Sequence, residues 1–244
     1  MDAERLTEKL VLWIREQVLA ARCQGVVLGM SGGLDSSVLA VICQRAFAQN
    51  TLGLIMPCHS QPEDEEHARA VAGKFSIPTT VVVLDNVFDT LLQVLPDDQS
   101  DPKVARLAEA NLKARLRMLT LYYFANRLNY LVAGSGNRSE LCVGYFTKHG
   151  DSGVDILPLG NLVKSEVREL ARFLGIPQAI IDKPPSAGLW AGQTDESEMG
   201  FSYDELDRYL TTGEAPAELK KRIDSMIAAS EHKCQPPPLP IFPA

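Results

Sequence analysis

The chain contains 244 residues, of which 45% are hydrophobic and 23% are charged, as is typical of folded globular proteins. Its 24 lysines and arginines are outnumbered by 31 aspartates and glutamates, which gives a formal net charge of −7. Because such a surface repels phosphate backbones, we expect no nucleic-acid partner. The chain begins with a charged segment and has no apolar run approaching about 18 residues, so we expect a cytoplasmic protein with no membrane partner.

Hydrophobic spacing predicts alternating helices and strands along the chain. The predicted helices cover residues 5–22, 36–47, 63–75, 103–129, 164–174, 203–210 and 216–231, and the predicted strands cover residues 25–30, 51–57, 79–84 and 130–134. This alternation predicts a doubly wound, Rossmann-like and mainly parallel sheet with helices on both faces. In such a sheet, ligands bind at the carboxyl ends of the strands.

Irregular segments lie between these elements. Residues 96–103 form a predicted loop. Residues 149–160 and 183–200 carry glycines and prolines with little periodicity, which favours active-site loops over plain surface connections. The proline-rich tail, 235–244, is expected to lie extended on the surface. Because no linker or internal repeat interrupts the chain, residues 1–244 are expected to form one domain.

Five cysteines are scattered along the chain, and none belongs to a C-x-x-C pair. Zinc sites and dithiol redox sites require closely spaced cysteines, so both kinds of site are disfavoured. We expect buried or incidental thiols in a reducing compartment. The five residues are Cys23, Cys43, Cys58, Cys142 and Cys234.

A glycine- and serine-rich loop lies between the first predicted strand and the helix that follows it. Its glycines allow close approach to an anion, while its serines and the N–H groups of the helix start can bind phosphate oxygens. Asp35 suits a Mg²⁺ ion that bridges phosphate oxygens, although a helix-capping role for Asp35 in a plain serine-rich turn is the alternative. The loop lacks the lysine of a Walker A motif. It consists of Gly29, Met30, Ser31, Gly32, Gly33, Leu34, Asp35, Ser36 and Ser37.

This loop resembles the S-G-G-x-D-S pyrophosphate loop of the ATP pyrophosphatases, which cleave ATP between its α- and β-phosphates and adenylate a substrate oxygen. The resemblance implies an adenine-nucleotide α-hydrolase-like fold, with AMP and pyrophosphate as products. Four later segments resemble the NAD synthetase family within that group. They lie at residues 111–118, 146–159, 185–189 and 231–233, in the order of the family.

For ATP, the resemblance implies that the loop from Gly29 to Ser37 holds the phosphates and that Asp35 and Glu140 bind Mg²⁺. It also implies ATP contacts for Ser135, Lys164 and Ser186. Lys164 is the first candidate for catalysis, together with Asp35 and Glu140, because its charge could neutralise the leaving pyrophosphate. Ser135 and Ser186 stand where threonines are usual, so a hydroxyl is kept at both positions. After Ser135, however, Gly-Asn stands where the family has an aspartate, and that carboxylate is lost.

For the second substrate, the resemblance implies contacts from Arg115, Lys148, Asp151, Asp155, His232 and Lys233. Arg115 and Arg117 are two residues apart on a predicted helix, so their directions diverge by about 200° and they cannot face one ligand. We assign Arg115 to the substrate. Arg117 and Lys113 are expected to make surface or subunit contacts.

The expected activity is the ATP-dependent conversion of deamido-NAD to NAD through an adenylated carboxylate, in a homodimer. No glutaminase segment flanks the motifs, so ammonia is the expected nitrogen donor. A GMP-synthetase-like enzyme is an alternative, but its carboxyl-terminal dimerisation domain is missing. A tRNA-thiolating enzyme would need a basic face and paired cysteines. A non-catalytic nucleotide-binding protein would have little need for Asp35, Glu140 and Lys164 together.

Overall fold

The computed structural model describes residues 2–96, 101–186, 194–240 and 242. Its sheet has the strand order β3-β2-β1-β4, and every pair of neighbours is parallel. The predicted fold class is thereby confirmed. The strands are β1 (Gly25–Gly29), β2 (Thr51–Ile55), β3 (Thr79–Val81) and β4 (Tyr130–Ala133).

Helices alternate with these strands and then make up the last third of the described chain. They are α1 (Ala3–Ala20), α2 (Leu34–Ala46), α3 (Pro62–Phe75), α4 (Asp85–Val94), α5 (Pro102–Leu128), α6 (Arg138–Val143), α7 (Lys164–Leu174), α8 (Gln178–Ile181), α9 (Asp195–Met199), α10 (Tyr203–Thr212) and α11 (Ala217–Cys234).

Two apolar cores cover the two faces of the sheet. Successive side chains of a strand point to opposite faces, so Val26 and Leu28 of β1 pack into one core and Val27 into the other. The first core is completed by α1, α2, α3 and α7, and the second by α4 and α5. A third cluster joins α6, α10 and α11 around Leu206 and Ile223. Helices therefore cover both faces, as the strand pattern predicts.

The order of the strands reverses beside β1. The chain moves from β1 to β2 and β3 on one side, and then returns through α4 and α5 to place β4 on the other side. The loops that follow β1 and β4 therefore leave the sheet in different directions. The crevice between two such loops is the usual ligand site of a doubly wound sheet.

Several elements differ from the sequence-based expectation. Strand β3 ends at Val81, and only single hydrogen bonds, such as Val82 N–H to the Ile55 oxygen, hold the segment beyond it. Helices α4, α6, α8 and α9 are additional, and α9 lies inside the stretch 183–200 that was expected to be a loop. The described tail residues 235–240 are exposed and not helical, as predicted. Parts of three predicted segments lie outside the described residues, namely 97–100, 187–193 and 241 with 243–244.

The cysteines form no disulfide within the described chain. Cys43 and Cys58 are buried, and burial raises the pKa of the Cys43 thiol to about 12. Both are therefore buried thiols of the expected kind. None of the described helices is long and apolar enough to span a lipid bilayer.

Candidate active site

The glycine-rich loop turns from β1 into α2 without a side-chain cap. Gly33 is the N-cap residue of α2, and no side chain accepts a hydrogen bond there. Ser36 Oγ and Ser37 Oγ both donate to the Gly33 carbonyl, at 3.1 and 2.7 Å. Asp35 thus does not cap the helix, so the capping role considered for it is not found. An uncapped helix start with free N–H groups favours a bound anion.

Lys164, Asp35 and Glu140 meet beside this loop. Lys164 is the first residue of α7, and its side chain is only 4% exposed. Its Nζ lies 2.5 Å from Asp35 Oδ2 and 3.0 Å from Glu140 Oε1. The two carboxylates follow β1 and β4, so the reversal of strand order brings them to the same crevice.

The electrostatics of these three groups favour a bound cation. Burial alone would lower the pKa of Lys164, but the charges of Asp35 and Glu140 outweigh burial and raise it. Lys164 therefore stays protonated at neutral pH. Burial raises the pKa of Glu140, an effect that Lys164 opposes and Asp35 reinforces. With both carboxylates ionised, one negative charge remains uncompensated, and a divalent cation would relieve it.

Asn137 connects the two carboxylates and was missed by the sequence analysis. Its fully buried side chain donates from Nδ2 to Asp35 Oδ1 at 2.9 Å. Its Oδ1 accepts the N–H of Glu140 at 3.0 Å, as part of a capping box at the start of α6. The Asn-x-x-Glu spacing shortly after the end of a strand is a signal that could have found this residue.

Tyr203 lies beside the carboxylate cluster and was also missed by the sequence analysis. Its hydroxyl donates to Asp195 Oδ2 at 2.8 Å and lies 3.3 Å from Glu140 Oε1. Lys164 Nζ lies 4.9 Å from the centre of its ring. The arrangement surrounds the ammonium group with carboxylates and a π-face, each of which favours the charged form.

Asp207 fixes the position of the two helices that carry Lys164 and Glu140. This buried carboxylate of α10 accepts from Ser139 Oγ at 2.5 Å and from Ser165 N–H at 2.7 Å. Ser139 Oγ in turn accepts the Lys164 N–H at 3.1 Å. Since the negative charge lies at the amino terminus of α7, the helix dipole stabilises it.

Replacing Asp207 with asparagine is expected to lower the free energy of unfolding by about 2 kcal/mol. One of the two groups that donate to Asp207, Ser139 Oγ or Ser165 N–H, would then face an amide N–H group instead of an acceptor. The kcat should fall as well, since Lys164 and Glu140 depend on these helix starts. Urea unfolding and steady-state kinetics measure both. Asp204→Asn is the matched control, because that side chain is 84% exposed on the same helix. Equal stability of the two variants would contradict the expectation.

All of the residues predicted to bind the second substrate except Asp155 lie around residues 144–151. Arg115 donates to the carbonyl of Lys148 at 3.3 Å. Lys148 Nζ donates to the carbonyl of His232 at 2.7 Å, and Lys233 Nζ donates to the carbonyls of Gly144 and Phe146. The end of α11 is thereby joined to this loop within one chain.

Asp151 and Asp155 occupy different places in this region. Asp151 Oδ1 accepts the N–H of Thr147 at 2.8 Å and belongs to the loop. Asp155 instead accepts the N–H of Val132 and the hydroxyl of Tyr122, at 2.7 and 3.0 Å. Burial and the bond to Asp155 together raise the pKa of Tyr122 to about 12. Asp155 therefore lies beside Tyr122, which is about two helical turns along α5 from Arg115.

Ser135 and Ser186 are far apart in the sequence. Ser135 follows the carboxyl end of β4 by two residues, and Ser186 lies just before the undescribed residues 187–193. The remainder of the motif at 185–189 therefore falls outside the described chain. The roles of both serines stay predictions.

The expectation that Arg117 makes surface or subunit contacts is wrong. Its Nε donates to the Met56 carbonyl and its guanidinium to Ser60 Oγ, both at 3.1 Å. It thus holds the segment after β2 against α5. Lys113 lies with its Nζ 5.2 Å from the centre of the Phe88 ring, within the same chain. The prediction that Arg117 points away from Arg115 is correct, but the face of α5 that carries Arg117 contacts protein rather than solvent.

Known proteins match nearly the whole chain. The family described as NAD synthase matches residues 6–237. An NH3-dependent NAD+ synthetase from Carboxydothermus hydrogenoformans is 53% identical over 239 residues, which cover 98% of each chain. The solved NMN synthetase of Francisella tularensis is 36% identical, with a TM-score of 0.92 over 99% of this chain and 100% of the other.

A second solved structure, the NH3-dependent NAD synthetase of Campylobacter jejuni, is 28% identical, with a TM-score of 0.82 over 99% of this chain and 100% of the other. Sequence and fold therefore agree over the full set of motifs, from the glycine-rich loop to the end of α11. The chain belongs to the NAD synthase family.

Proposed function

We propose that the chain converts deamido-NAD to NAD by ATP-dependent amidation with ammonia, releasing AMP and pyrophosphate. The observation that carries this proposal is the buried Lys164 between Asp35 and Glu140, beside an uncapped helix start. ATP use is common to the family. A non-catalytic nucleotide-binding protein would gain nothing from burying one cation between two carboxylates at such a desolvation cost.

The reaction follows from the charges of the site. A carboxylate oxygen of the substrate attacks the α-phosphorus of ATP, and the bond from that phosphorus to the oxygen that bridges the α- and β-phosphates breaks. Pyrophosphate leaves, and Lys164 stabilises the charge that develops on the phosphate oxygens. Ammonia then attacks the adenylated acyl carbon, AMP leaves, and the nitrogen loses a proton to give the amide.

Asp35 and Glu140 are proposed as ligands of Mg²⁺. Carboxylate oxygens are the ligands that this ion prefers, and both side chains lie in the same crevice as the phosphate loop. No cluster of three or more acidic, histidine or cysteine side chains suited to a metal occurs among the described residues, so phosphate oxygens and water would complete the coordination. Bound there, Mg²⁺ supplies Lewis-acid neutralisation of the phosphate charge.

Arg115, Lys148, His232 and Lys233 are proposed to bind the dinucleotide, together with Asp151 and Asp155. Three of these cations donate only to main-chain carbonyls in the contacts described, and a pyrophosphate is a stronger acceptor than a neutral carbonyl. The cluster lies next to the end of α6, the helix that carries Glu140. A substrate that bridges the two groups places its carboxylate near the α-phosphate.

Lys148→Ala is expected to raise the KM for deamido-NAD about tenfold and to leave the KM for ATP nearly unchanged, because one charge-assisted contact is lost on the dinucleotide side. Initial rates measured with each substrate varied in turn separate the two constants. Lys220→Ala is the control, because it removes the same charge at a position on α11 where Lys220 Nζ contacts the Tyr209 ring. A rise confined to the KM for ATP would place the loop on the other substrate.

We further propose that residues 1–244 form one domain that works as a homodimer. The resemblance to the family supports the dimer, and so does the exposed apolar surface of α5. Val104, Leu107, Leu119 and Tyr123 are each more than half exposed on that helix. Exposed apolar surface on one helix often marks an interface between proteins.

The decisive experiment is an assay of the purified chain with ATP, Mg²⁺, ammonium and deamido-NAD. Formation of NAD with equal amounts of AMP and pyrophosphate is the expected result. Nicotinate mononucleotide is run in parallel because of the likeness to the NMN synthetase, and xanthosine monophosphate tests a GMP-synthetase-like activity. Turnover of either of these in preference to deamido-NAD would overturn the proposal, as would the absence of ATP cleavage.

A further inference from the structure

A second partly buried ion pair lies at the edge of the glycine-rich loop. Lys183 Nζ and Asp64 Oδ1 are 2.6 Å apart, and their side chains are only 25% and 23% exposed. Asp64 belongs to the first turn of α3, whereas Lys183 follows α8 and precedes the predicted ATP contact Ser186 by three residues. The pair therefore joins two segments that are distant in sequence.

Asp64 lies directly against the glycine-rich loop. Gly32 has a φ of +76°, and a Cβ added to it would clash with the carbonyl oxygen of Asp64. The carbonyl and the carboxylate of one aspartate are only about 5 Å apart. Because the Lys183 ammonium group contacts that carboxylate, it lies only a few ångströms further from the loop. Only glycine permits this close approach, which puts the ion pair next to the place where phosphates bind.

The charge balance of the crevice leaves a role for this lysine. The loop from Gly29 to Ser37 contains no basic residue. Lys164 is assigned to the charge that develops at the reacting phosphate, and because two carboxylates share it, it offsets only part of the phosphate charge. Among the described residues Lys183 pairs with one carboxylate, that of Asp64, and a ligand that carries more negative charge could replace it.

We propose that Lys183 binds the terminal phosphates of ATP and the departing pyrophosphate, and that Asp64 holds its ammonium group beside the loop until a phosphate takes over. This deepens the proposed function and rests on it. Asp64 competes with the phosphates for one cation. The pair thus limits how tightly pyrophosphate is held once it has formed, and so promotes its release.

The proposal predicts opposite effects for the two partners. Lys183→Met removes the cation and should weaken pyrophosphate binding. Asp64→Asn keeps the shape of the side chain but frees the cation, so pyrophosphate binding should become tighter. A pair that only ties α3 to the segment after α8 would give the same loosening in both variants.

The test is calorimetric binding of inorganic pyrophosphate with Mg²⁺ to the full chain, without the other substrates. We expect the Kd to rise about tenfold in Lys183→Met and to fall about threefold or more in Asp64→Asn. Glu65→Gln is the matched control, since it removes the same charge one residue further along α3, from a more exposed pair with Arg69. Its Kd should equal that of the unchanged protein.

Weaker binding in both variants, or no change in either, would overturn the proposal. If Lys183→Met fails to fold, the tighter binding of Asp64→Asn still decides, because misfolding cannot strengthen a specific site. The proposed function is tested separately by NAD formation. A wild-type chain that binds pyrophosphate but forms no NAD would reject the activity, whereas active variants with unchanged Kd would reject only the role of Lys183.

Discussion

Lys164→Met is expected to lower the kcat for NAD formation by about 10³-fold, because the buried cation beside the reacting phosphate is lost. The same change should lower the free energy of unfolding by about 3–5 kcal/mol, since two partly buried carboxylates then face each other without a positive charge. Single-turnover kinetics and urea unfolding measure the two effects. Full stability with reduced kcat would show that the carboxylates do not depend on Lys164.

The stability loss should also depend on pH. Burial raises the pKa of Glu140 and Lys164 opposes that rise, so removing the lysine raises the pKa further. The folded state then binds more protons than the unfolded state. The stability that the protonated Glu140 carboxyl contributes is therefore complete below about pH 4, and it is lost as the pH rises through the raised pKa of Glu140. Lys164→Met should therefore lose more stability at about pH 8 than at about pH 5.

Lys164→Arg separates charge from geometry in the same experiment. The guanidinium keeps the positive charge, so the additional pH dependence should disappear. Its planar fork does not fit the place of a compact ammonium group, so the kcat should remain low. If the arginine variant showed the same pH dependence as the methionine variant, the account based on charge would be wrong.

Asp35→Asn is expected to reduce the rate of adenylation by at least about 10²-fold while the fold is kept. The substitution preserves the shape of the side chain but removes one of the two proposed Mg²⁺ carboxylates, and its amide cannot serve both Lys164 and Asn137 as an acceptor. Exchange of labelled pyrophosphate into ATP in the presence of deamido-NAD measures this step alone.

A control and a metal titration complete the test of Asp35. The Mg²⁺ concentration that gives half-maximal exchange should rise in Asp35→Asn, because fewer protein oxygens are available for the ion. Asp204→Asn makes the same chemical change at an exposed site and should leave both quantities unaltered. Normal turnover with an unaltered Mg²⁺ requirement would exclude Asp35 as a metal ligand.

The parts of the fold that could be predicted from the sequence are those with a strong local signal. The strand, glycine turn and helix from Gly25 to Ala46 follow from an apolar run and its spacing, and the structure places them within two residues of the prediction. Helix α6 was missed because its six residues are too few to show a period. Its capping box was the available signal.

What could not be predicted is which side of a helix faces protein. The two arginines of α5 diverge as expected, but periodicity cannot show that Arg117 meets the end of β2. The same limit applies to Asp207 and Tyr203, which come from α10 and reach Ser139 and Glu140 through tertiary packing alone. The likeness to a family could indicate Lys164 and Glu140, but not the residues that hold them in place.

The pairing of β1 with β4 also determines when during folding the site can exist. Asp35 is separated from Asn137 by 102 positions and from Lys164 by 129. A folding intermediate with only β1, α2 and β2 would have a formed glycine turn but no second carboxylate and no buried cation. Closing so long a loop is slow and entropically costly. We therefore expect the proposed nucleotide site to be complete only after β4 has paired with β1, and a ligand that binds it would favour completed chains by mass action.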